Sequence, residues 1–343
     1  MTDYKTKRWA QLCDFYAEHQ GQGNPTLICG DASNRKFYRV PEGILMDAPC
    51  TTEKNHEFVD IASRLQNAKI LAPRVLAVDY ENGFLLVTDL GTSSFADLIK
   101  ACGTDQQKLR SLYLQAIDTM VELTKVDTTN LPLYDEAFIK REDDICRDYY
   151  FKAHDISLSA SEAQIFQVAE KIWTEADLKA PLVAMHRDYH SRNIMTPIDK
   201  LNPNKSQIGL IDFQDMVKGP LGYDLASLIR DCYVELPLEL VDELFSYAFN
   251  RYDECFLHGA LSLAEFTRLV DLAGLQRHVK CLGIFNRLAL RDGKQGYLKN
   301  LPLVEKYVFT VATKYPELTD FANLMHHYCG AKAPTTIPSK AGE

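Results

Sequence analysis

The chain lacks the features that mark secreted, membrane-spanning or nucleic-acid-binding proteins. Its nine cysteines are an odd number without a Cys-x-x-Cys pair, which argues against a disulfide framework or a zinc site and favours a reducing compartment. No cluster of Lys and Arg occurs and the formal net charge is −9, whereas nucleic-acid binding needs clustered cations. No signal-peptide pattern and no apolar run of membrane-spanning length is found. We therefore expect a cytoplasmic protein without nucleic-acid or membrane partners.

The composition suits a soluble globular protein with more than one core. The chain has 343 residues, of which 46% are hydrophobic and 25% are charged, an ordinary balance for such proteins. A chain of this length exceeds what one core usually holds, so we expect two lobes. A monomeric enzyme that acts on a small molecule fits this composition.

Three polar residues with a characteristic spacing indicate phosphoryl transfer. Asp188 precedes Asn193 by five positions, and Asp212 follows the apolar run at 208–211. Transfer from a nucleotide needs one carboxylate that orients the attacking hydroxyl, and an amide and a second carboxylate that hold magnesium on the phosphates. We therefore predict Asp188 as the catalytic residue, Asn193 and Asp212 as ligands of Mg²⁺, and ATP as the phosphate donor.

Two other interpretations of this segment compete. His186, Asp188 and His190 stand at alternating positions and could be the metal ligands of a hydrolase. Alternatively, Asp188 and Asn193 cap turns and His186 is a buried imidazole. The hydrolase interpretation gives Asn193 no role, and the capping interpretation leaves the whole pattern to coincidence, so the kinase interpretation is preferred.

Hydrophobic periodicity divides the chain into a strand-rich part and a helical part. A helix around residues 9–16 precedes strands at 26–29, 35–40 and 43–47, a helix at 52–67, and strands at 74–79 and 83–88. Helical patterns follow at 109–121, 225–233, 236–256 and 263–290. This order predicts an α+β, bilobal, protein-kinase-like fold with a small strand-rich N-lobe and a larger, mainly helical C-lobe.

The lobe boundaries follow from the same pattern. We predict a nucleotide-binding lobe at 1–88, a hinge at 89–91, a catalytic and acceptor-binding lobe at 92–330 and a flexible tail at 331–343. The nucleotide would lie against the connector, beside Thr88 and Leu90. The segment 196–207, rich in Pro, Asn and Ser, is expected to be an exposed turn.

The spacing after Asp212 argues for a small-molecule kinase. Asp212-Phe213-Gln214 lacks the usual glycine, and Asp224 follows after only 12 positions, which is too short for the activation segment of a protein kinase. Without such a segment, Arg187 has no phosphorylated loop to bind and is expected to form a structural ion pair. Asp224 is expected to accept backbone N–H bonds from the catalytic loop.

Several motifs carry a family resemblance. The chain resembles the aminoglycoside phosphotransferase and choline kinase superfamily in Gly30-Asp31-Ala32-Ser33-Asn34-Arg35, His186-x-Asp188-x4-Asn193, Ile211-Asp212-Phe213 and Tyr223-Asp224-Leu225-Ala226. Finer likeness in Met46-Asp47-Ala48-Pro49, Asp212-Phe213-Gln214-Asp215, Arg230-Asp231-Cys232-Tyr233 and Gly274-Leu275-Gln276-Arg277-His278 is similar to bacterial kinases that phosphorylate the anomeric hydroxyl of N-acetylmuramate and N-acetylglucosamine in peptidoglycan recycling. The resemblance implies an amino-sugar acceptor and a cell-wall recycling role.

One departure from the superfamily concerns its nucleotide-binding lysine, which the third strand normally carries. That strand reads Ile44-Leu45-Met46-Asp47 here, without a lysine. Arg35, at the end of the loop that holds Ser33 and Asn34, is the first candidate to replace it, and Phe37 could cover adenine. Arg35 and Arg39 could equally form a solvated strand edge, and Glu57 would pair with one of them or remain a surface charge.

The acceptor site is expected near Asp188. Sequence proximity makes His190, Asp215, Arg230 and Asp231 candidate acceptor-binding residues, although each could instead form an ordinary ion pair. An arginine such as Arg230 or Arg277 would suit the lactyl carboxylate of muramate. Two other functions stay open at this point, a phosphotransferase for aminoglycosides or other small alcohols and a non-catalytic nucleotide-binding regulator.

Overall fold

The chain forms two compact units. The computed structural model describes residues 2–28, 34–197 and 207–329. The first unit comprises Met1–Leu109, Lys125–Asp127 and Arg192–Met216, and the second comprises Arg110–Thr124, Thr128–Ser191 and Val217–Glu343. The first unit thus takes in a segment far beyond the predicted N-lobe, and the predicted lobe boundaries stay a prediction. The tail at 331–343 lies outside the described residues, as does most of the 196–207 turn.

The first unit contains a five-stranded antiparallel sheet, as the sequence predicts. Its strand order is β1-β2-β3-β5-β4. The strands are β1 (Thr26–Ile28), β2 (Lys36–Val40), β3 (Gly43–Asp47), β4 (Val75–Asp79) and β5 (Phe84–Val87). Three helices accompany them, α1 (Thr2–Glu18), α2 (Asn55–Asn67) and α3 (Phe95–Cys102).

Local sequence explains this sheet. Alternate residues such as Tyr38, Leu45 and Leu86 turn toward a core that also contains Leu12 of α1, as the two-residue period of a strand requires. The turn between β4 and β5 needs Gly83, whose φ of +72° favours glycine. A Cβ added there would stand 2.1 Å from the carbonyl oxygen of Ala48.

A short hairpin in the first unit carries two of the predicted site residues. Strands β7 (Ile194–Met195) and β8 (Gly209–Leu210) pair antiparallel. Asn193 directly precedes β7, and Asp212 follows β8 by two positions. The main-chain oxygen of Asn193 accepts a hydrogen bond from Ile211 N at 3.0 Å, so the hairpin holds both segments together.

The second unit is mainly helical. Strand β6 (Leu182–Met185) pairs with β9 (Val217–Pro220). The helices are α4 (Gln106–Glu122), which begins in the first unit, α5 (Glu136–Ile145), α6 (Ala160–Lys179), α7 (Gly222–Ile229), α8 (Leu238–Tyr252), α9 (Leu263–Leu290), α10 (Leu301–Ala312) and α11 (Thr319–Tyr328). One-turn π-helices at Cys146–Phe151 and Asp253–Leu257 extend α5 and α8, and 3₁₀ turns occur at Leu123–Lys125, Gln295–Asn300 and Pro316–Leu318.

Helix α9 is the central element of this unit. It spans 28 residues and is buried on all sides from Val270 to Gly283, a stretch that includes Asp271, Gln276, Arg277 and Lys280. Buried polar groups are costly unless they find partners, so this helix must be matched by polar groups on its neighbours. No helix among the described residues has both the length and the apolarity needed to cross a membrane.

Candidate active site

The loop that follows β6 presents Asp188 and is fixed by a buried carboxylate. Asp224 of α7 accepts hydrogen bonds from the backbone N–H groups of His186 at 2.6 Å and Arg187 at 3.0 Å. Arg187 has a φ of +76°, an unfavourable conformation for a residue other than glycine. The predicted bracing role of Asp224 is confirmed, and these two bonds hold the strained turn in place.

Asp188 is partly accessible and surrounded by cations. Burial alone would raise the pKa of its carboxyl, but the charges of Lys280, His190, Arg277 and Arg187 outweigh burial and bring the pKa below its ordinary value. Asp188 is therefore ionised at neutral pH. An ionised carboxylate can accept a hydrogen bond from an attacking hydroxyl and later its proton.

A buried ion cluster in the second unit supplies two of these cations. Glu142 Oε1 lies 2.6 Å from Arg187 Nη2 and 2.9 Å from Lys280 Nζ, and Lys280 Nζ also lies 2.9 Å from the Tyr223 hydroxyl oxygen. Burial would lower the pKa of Lys280, but Glu142 more than offsets it and the pKa is raised. Lys280 is therefore charged at neutral pH. The prediction that Arg187 forms a structural ion pair is confirmed.

Two of the predicted acceptor-binding residues lie in the same region. The ring of His190 packs edge-on against Tyr233, with ring centroids 5.2 Å apart. Asp231 accepts backbone N–H bonds from Ser191 and Tyr233, each at 2.9 Å, on separate oxygens. Asp231 therefore braces the end of the catalytic loop, and the acceptor-binding roles of His190 and Asp231 stay predictions.

Arg230 already has a carboxylate partner within the protein. Its Nη2 lies 2.6 Å from Asp271 Oδ1, and the other Asp271 oxygen accepts from Lys314 Nζ at 2.6 Å and from the Tyr315 hydroxyl at 2.7 Å. The guanidinium also lies over the ring of Phe245. These contacts fit a structural residue, and they favour Arg277 over Arg230 for an acceptor carboxylate.

In the first unit, Asp212 is bound by Arg35. Arg35 Nη2 lies 2.8 Å from Asp212 Oδ1, Nη1 donates to Gln214 Oε1 at 2.9 Å, and Nε lies 3.2 Å from Glu53 Oε2. Of the two alternatives for Glu57, the surface charge is the one observed, because Glu57 is exposed, Glu53 pairs with Arg35 and Asp89 pairs with Arg39. Glu53 is closer because α2 begins at Asn55, later than predicted, and Glu53 lies in the turn before it.

Packing fixes the backbone around Asp212. Phe213 is fully buried and stacks on Phe58 of α2 with ring centroids 4.8 Å apart. Asp212 itself has a φ of +63°, a left-handed conformation that is uncommon outside glycine. Such conformations persist where the surroundings over-determine them, and they cluster at functional sites.

The position of the missing lysine is occupied by a buried apolar residue. Met46 is 2% exposed and pairs across the sheet with Phe37. The Arg35 guanidinium lies over the Phe37 ring at 5.8 Å. Arg35 is thus a cation close to both Phe37 and Asp212, which supports it as the replacement for the lysine.

The oxygen donors of Asn193 and Asp212 fit a magnesium ion. Magnesium prefers carboxylate and carbonyl oxygens, and these two residues flank the same hairpin. The Asp212 side chain is 42% exposed. The hydrogen bonds shown for the described residues reach Asp212 through Oδ1, from Arg35 Nη2 and Gln214 Nε2, so Oδ2 is the oxygen available to a metal.

The other predicted contacts are distributed over the first unit. Ser33 lies outside the described residues, and Asn34 is exposed. Thr88 Oγ1 accepts from Arg74 N at 2.9 Å, Leu90 is buried, and Asp215 pairs with Lys54 at 2.6 Å. Their roles in binding stay predictions.

Sequence reasoning missed Glu53, Glu142 and Lys280. Lys280 stands one helical turn after Arg277, in a segment whose apolar residues continue around the helix, and a charged residue inside such a segment is a usable signal. Glu142 gave no comparable signal, because its partners Arg187 and Lys280 lie 45 and 138 positions away.

Sequence comparison places this chain among phosphotransferases. The sequence profile described as "Phosphotransferase enzyme family" matches residues 26–258. Proteins named N-acetylmuramate/N-acetylglucosamine kinase from Pseudomonas aeruginosa and Pseudomonas putida are 35% and 33% identical to this chain, each over 91% of it, and it spans 91% and 90% of their lengths.

Solved structures share the fold. A choline/ethanolamine kinase family protein from Mesorhizobium loti matches with a TM-score of 0.61 at 15% identity, covering 94% of this chain and 99% of that one. The GDP complex of an aminoglycoside 2'-phosphotransferase matches with a TM-score of 0.60 at 15% identity, covering 92% and 99%. The predicted α+β, protein-kinase-like fold class and the predicted resemblance are confirmed, and the chain belongs to the phosphotransferase enzyme family.

Proposed function

We propose that this protein transfers the γ-phosphate of ATP to the anomeric C1 hydroxyl of N-acetylmuramate and N-acetylglucosamine, with Mg²⁺, in peptidoglycan recycling. The names of the relatives from two Pseudomonas species support these acceptors. The observation that carries the proposal is the loop after β6, which presents Asp188 and is fixed by two backbone hydrogen bonds to Asp224. The enzyme would act as a cytoplasmic monomer.

The chemistry follows from the state of Asp188. Its carboxylate accepts a hydrogen bond from the C1 hydroxyl and orients the oxygen toward the γ-phosphorus. The new O–P bond forms as the bond between the γ-phosphorus and the β,γ-bridging oxygen breaks, and ADP leaves. The hydroxyl proton passes to Asp188 late in the transfer. An anomeric hydroxyl is more acidic than an ordinary alcohol, so a weak base is sufficient.

The first unit would bind the nucleotide. Asn193 and Asp212 would hold Mg²⁺, which when bound offsets negative charge on the β- and γ-phosphates. The guanidinium of Arg35 donates hydrogen bonds to the side chains of Asp212 and Gln214. When ATP is bound, Arg35 would bind phosphate oxygens in place of the missing lysine. A guanidinium suits this role because it can bind two phosphate oxygens at once.

The positive charges near Asp188 make an aminoglycoside acceptor unfavourable. Aminoglycosides are polycations and need an acidic site, whereas Arg187, Arg277 and Lys280 all act on Asp188. A polycation beside these groups would meet like charge. A non-catalytic regulator is disfavoured because Asp188, Asn193 and Asp212 are all present.

An ADP-release assay over a panel of acceptors tests the proposal. We expect turnover with N-acetylmuramate and N-acetylglucosamine, and none with kanamycin or choline. The Asp188→Asn variant, run on the same panel, separates true transfer from contaminating ATPase activity. Turnover with aminoglycosides alone, or with no amino sugar, would overturn the proposal.

A further inference from the structure

Arg277 is a buried arginine that forms no hydrogen bond with a carboxylate in the part of the chain that the structure describes. Its side chain is 3% exposed. In the described part of the chain, its one hydrogen bond runs from Nη1 to Cys232 Sγ at 3.4 Å, and Nε has no partner. A thiol is a weak acceptor, whereas a guanidinium carries five N–H donors. A buried cation in this state is costly unless an anion meets it.

The neighbouring cations differ from Arg277 in this respect. Arg187 and Lys280 both bind Glu142, at 2.6 and 2.9 Å. Arg230 binds Asp271 at 2.6 Å. Each of these three forms an ion pair with a carboxylate, and no such ion pair is found for Arg277 within residues 2–28, 34–197 and 207–329.

Arg277 lies beside the catalytic loop. Its contact Cys232 directly follows Asp231, which accepts a hydrogen bond from the backbone N–H of Ser191 at 2.9 Å. Ser191 is three positions after Asp188. One turn further along α9, Lys280 shares Glu142 with Arg187, the residue just before Asp188. This turn of α9 therefore lies next to the loop whose Asp188 would orient the attacking hydroxyl of the acceptor.

Asp188 does not accept a hydrogen bond from the Arg277 side chain among the described residues. The charges of the two side chains nevertheless interact. Nη2 of Arg277 forms no hydrogen bond among the described residues and is the donor available to a ligand, whereas Nε is fully buried. A guanidinium binds a carboxylate through two parallel hydrogen bonds, which combines charge with geometric specificity.

We propose that Arg277 is a specificity-determining residue that binds a carboxylate of the acceptor. On the function proposed above, on which this inference rests, that group is the lactyl carboxylate of N-acetylmuramate, which N-acetylglucosamine lacks. Arg277 therefore sets the preference between the two sugars. A carboxylate on the acceptor would also give Arg277 the hydrogen-bonded anion that it does not have among the described residues.

Steady-state kinetics of Arg277→Met and Arg277→Lys test the proposal on three acceptors. These are N-acetylmuramate, its methyl ester and N-acetylglucosamine. For Arg277→Met we expect kcat/KM for N-acetylmuramate to fall about 10- to 100-fold, mainly through KM, because a charge-assisted hydrogen-bonded contact is lost. The values for the ester and for N-acetylglucosamine should fall by a smaller, common factor, because Lys280 and Arg187 still act on Asp188 in the variant. Arg277→Lys should restore part of the loss, since it keeps the charge but not the paired geometry.

The controls separate recognition from folding. Activity on N-acetylglucosamine reports whether each variant is folded, and Arg110→Met, at an exposed ion pair with Glu243, should leave all three acceptors unchanged. Equal losses on both sugars would show a structural role and overturn the inference, as would an unchanged value for N-acetylmuramate. A wild-type protein that uses neither sugar would instead refute the proposed function, and this inference with it.

Discussion

Arg35 and Asp212 form an ion pair in which Nη2 of the arginine lies 2.8 Å from Oδ1 of the aspartate. The two residues are 177 positions apart in the chain, yet both belong to the first unit. The pair joins the end of the loop before β2 to the predicted magnesium ligand. Strand β3 contains no lysine, and we propose that Arg35 supplies the cation at the nucleotide phosphates.

The Arg35→Ala variant tests this substitution. We expect a higher KM for ATP and a lower kcat, together about 10- to 100-fold in kcat/KM, because one charge-assisted contact to phosphate is lost. Arg39→Ala is the matched control, since Arg39 pairs with Asp89 at a more exposed position and should change little. Unaltered kinetics in Arg35→Ala would move the role to Arg39 or Lys36.

Replacing Asp188 separates chemistry from nucleotide binding. The Asp188→Asn variant should lose about 10²- to 10⁴-fold in kcat, the usual contribution of a general base, while ATP affinity measured by calorimetry stays close to that of the wild type. The carboxylate handles the hydroxyl proton and has no part in holding the nucleotide. Near-normal turnover in this variant would remove Asp188 from its assigned role.

Magnesium removal tests the metal ligands. Excess chelator should abolish turnover, and Asp212→Ala should stay inactive at any practical magnesium concentration, because an open carboxylate oxygen is lost from the site. Asp60→Ala, at an exposed ion pair with Arg64 in the same unit, serves as a control for charge loss alone, and it should keep a magnesium-dependent rate. Full activity in chelator would point to different chemistry.

The pH dependence of activity tests the role of Asp224, which accepts hydrogen bonds from the catalytic loop. Burial raises the pKa of Asp224 to about 6, so activity should decline as the pH falls through about 6 and the carboxylate that accepts two loop N–H bonds becomes protonated. Asp188, whose pKa is lowered, stays ionised over this range and does not cause the decline.

The free energy of unfolding should depend on the ionisation of Asp224 in the opposite direction, so that it decreases as the pH rises. Because the folded-state pKa is raised, the contribution of Asp224 to stability is fully present below its ordinary pKa and is lost as the pH rises through about 6. Asp224→Asn should flatten both dependences, measured as kcat/KM and as urea unfolding against pH. A decline near pH 6 that persists in Asp224→Asn would assign it to another group.

Regular elements and the catalytic motif were predictable because their signals are local. The predicted strand at 43–47 and the predicted helix at 263–290 match β3 and α9, since each has a sustained hydrophobic period. Helix α2 begins three residues later than predicted. The backbone N–H groups of Thr52 and Glu53 bond to Pro49 O instead and form a turn, which hydrophobic spacing does not reveal.

The pairing of charges was not predictable from the sequence. Arg230 and Arg277 both stand in quoted motifs, and both seemed equally suited to an acceptor carboxylate. The fold distinguishes them, because Arg230 pairs with Asp271, whereas the hydrogen-bond partner of the Arg277 side chain among the described residues is the Cys232 thiol. Such partners are separated by 41 and 45 positions, and their pairing depends on how α9 packs against its neighbours.

The position of phosphate on the product tests the central claim most directly. Reaction of the wild-type protein with ATP and N-acetylmuramate, followed by phosphorus and proton NMR, should give one new phosphorus signal coupled to the C1 proton of the sugar, and N-acetylglucosamine should give the same pattern. Kanamycin should give no product. Coupling of the phosphorus to the C6 protons, or product formation with aminoglycosides alone, would contradict the account.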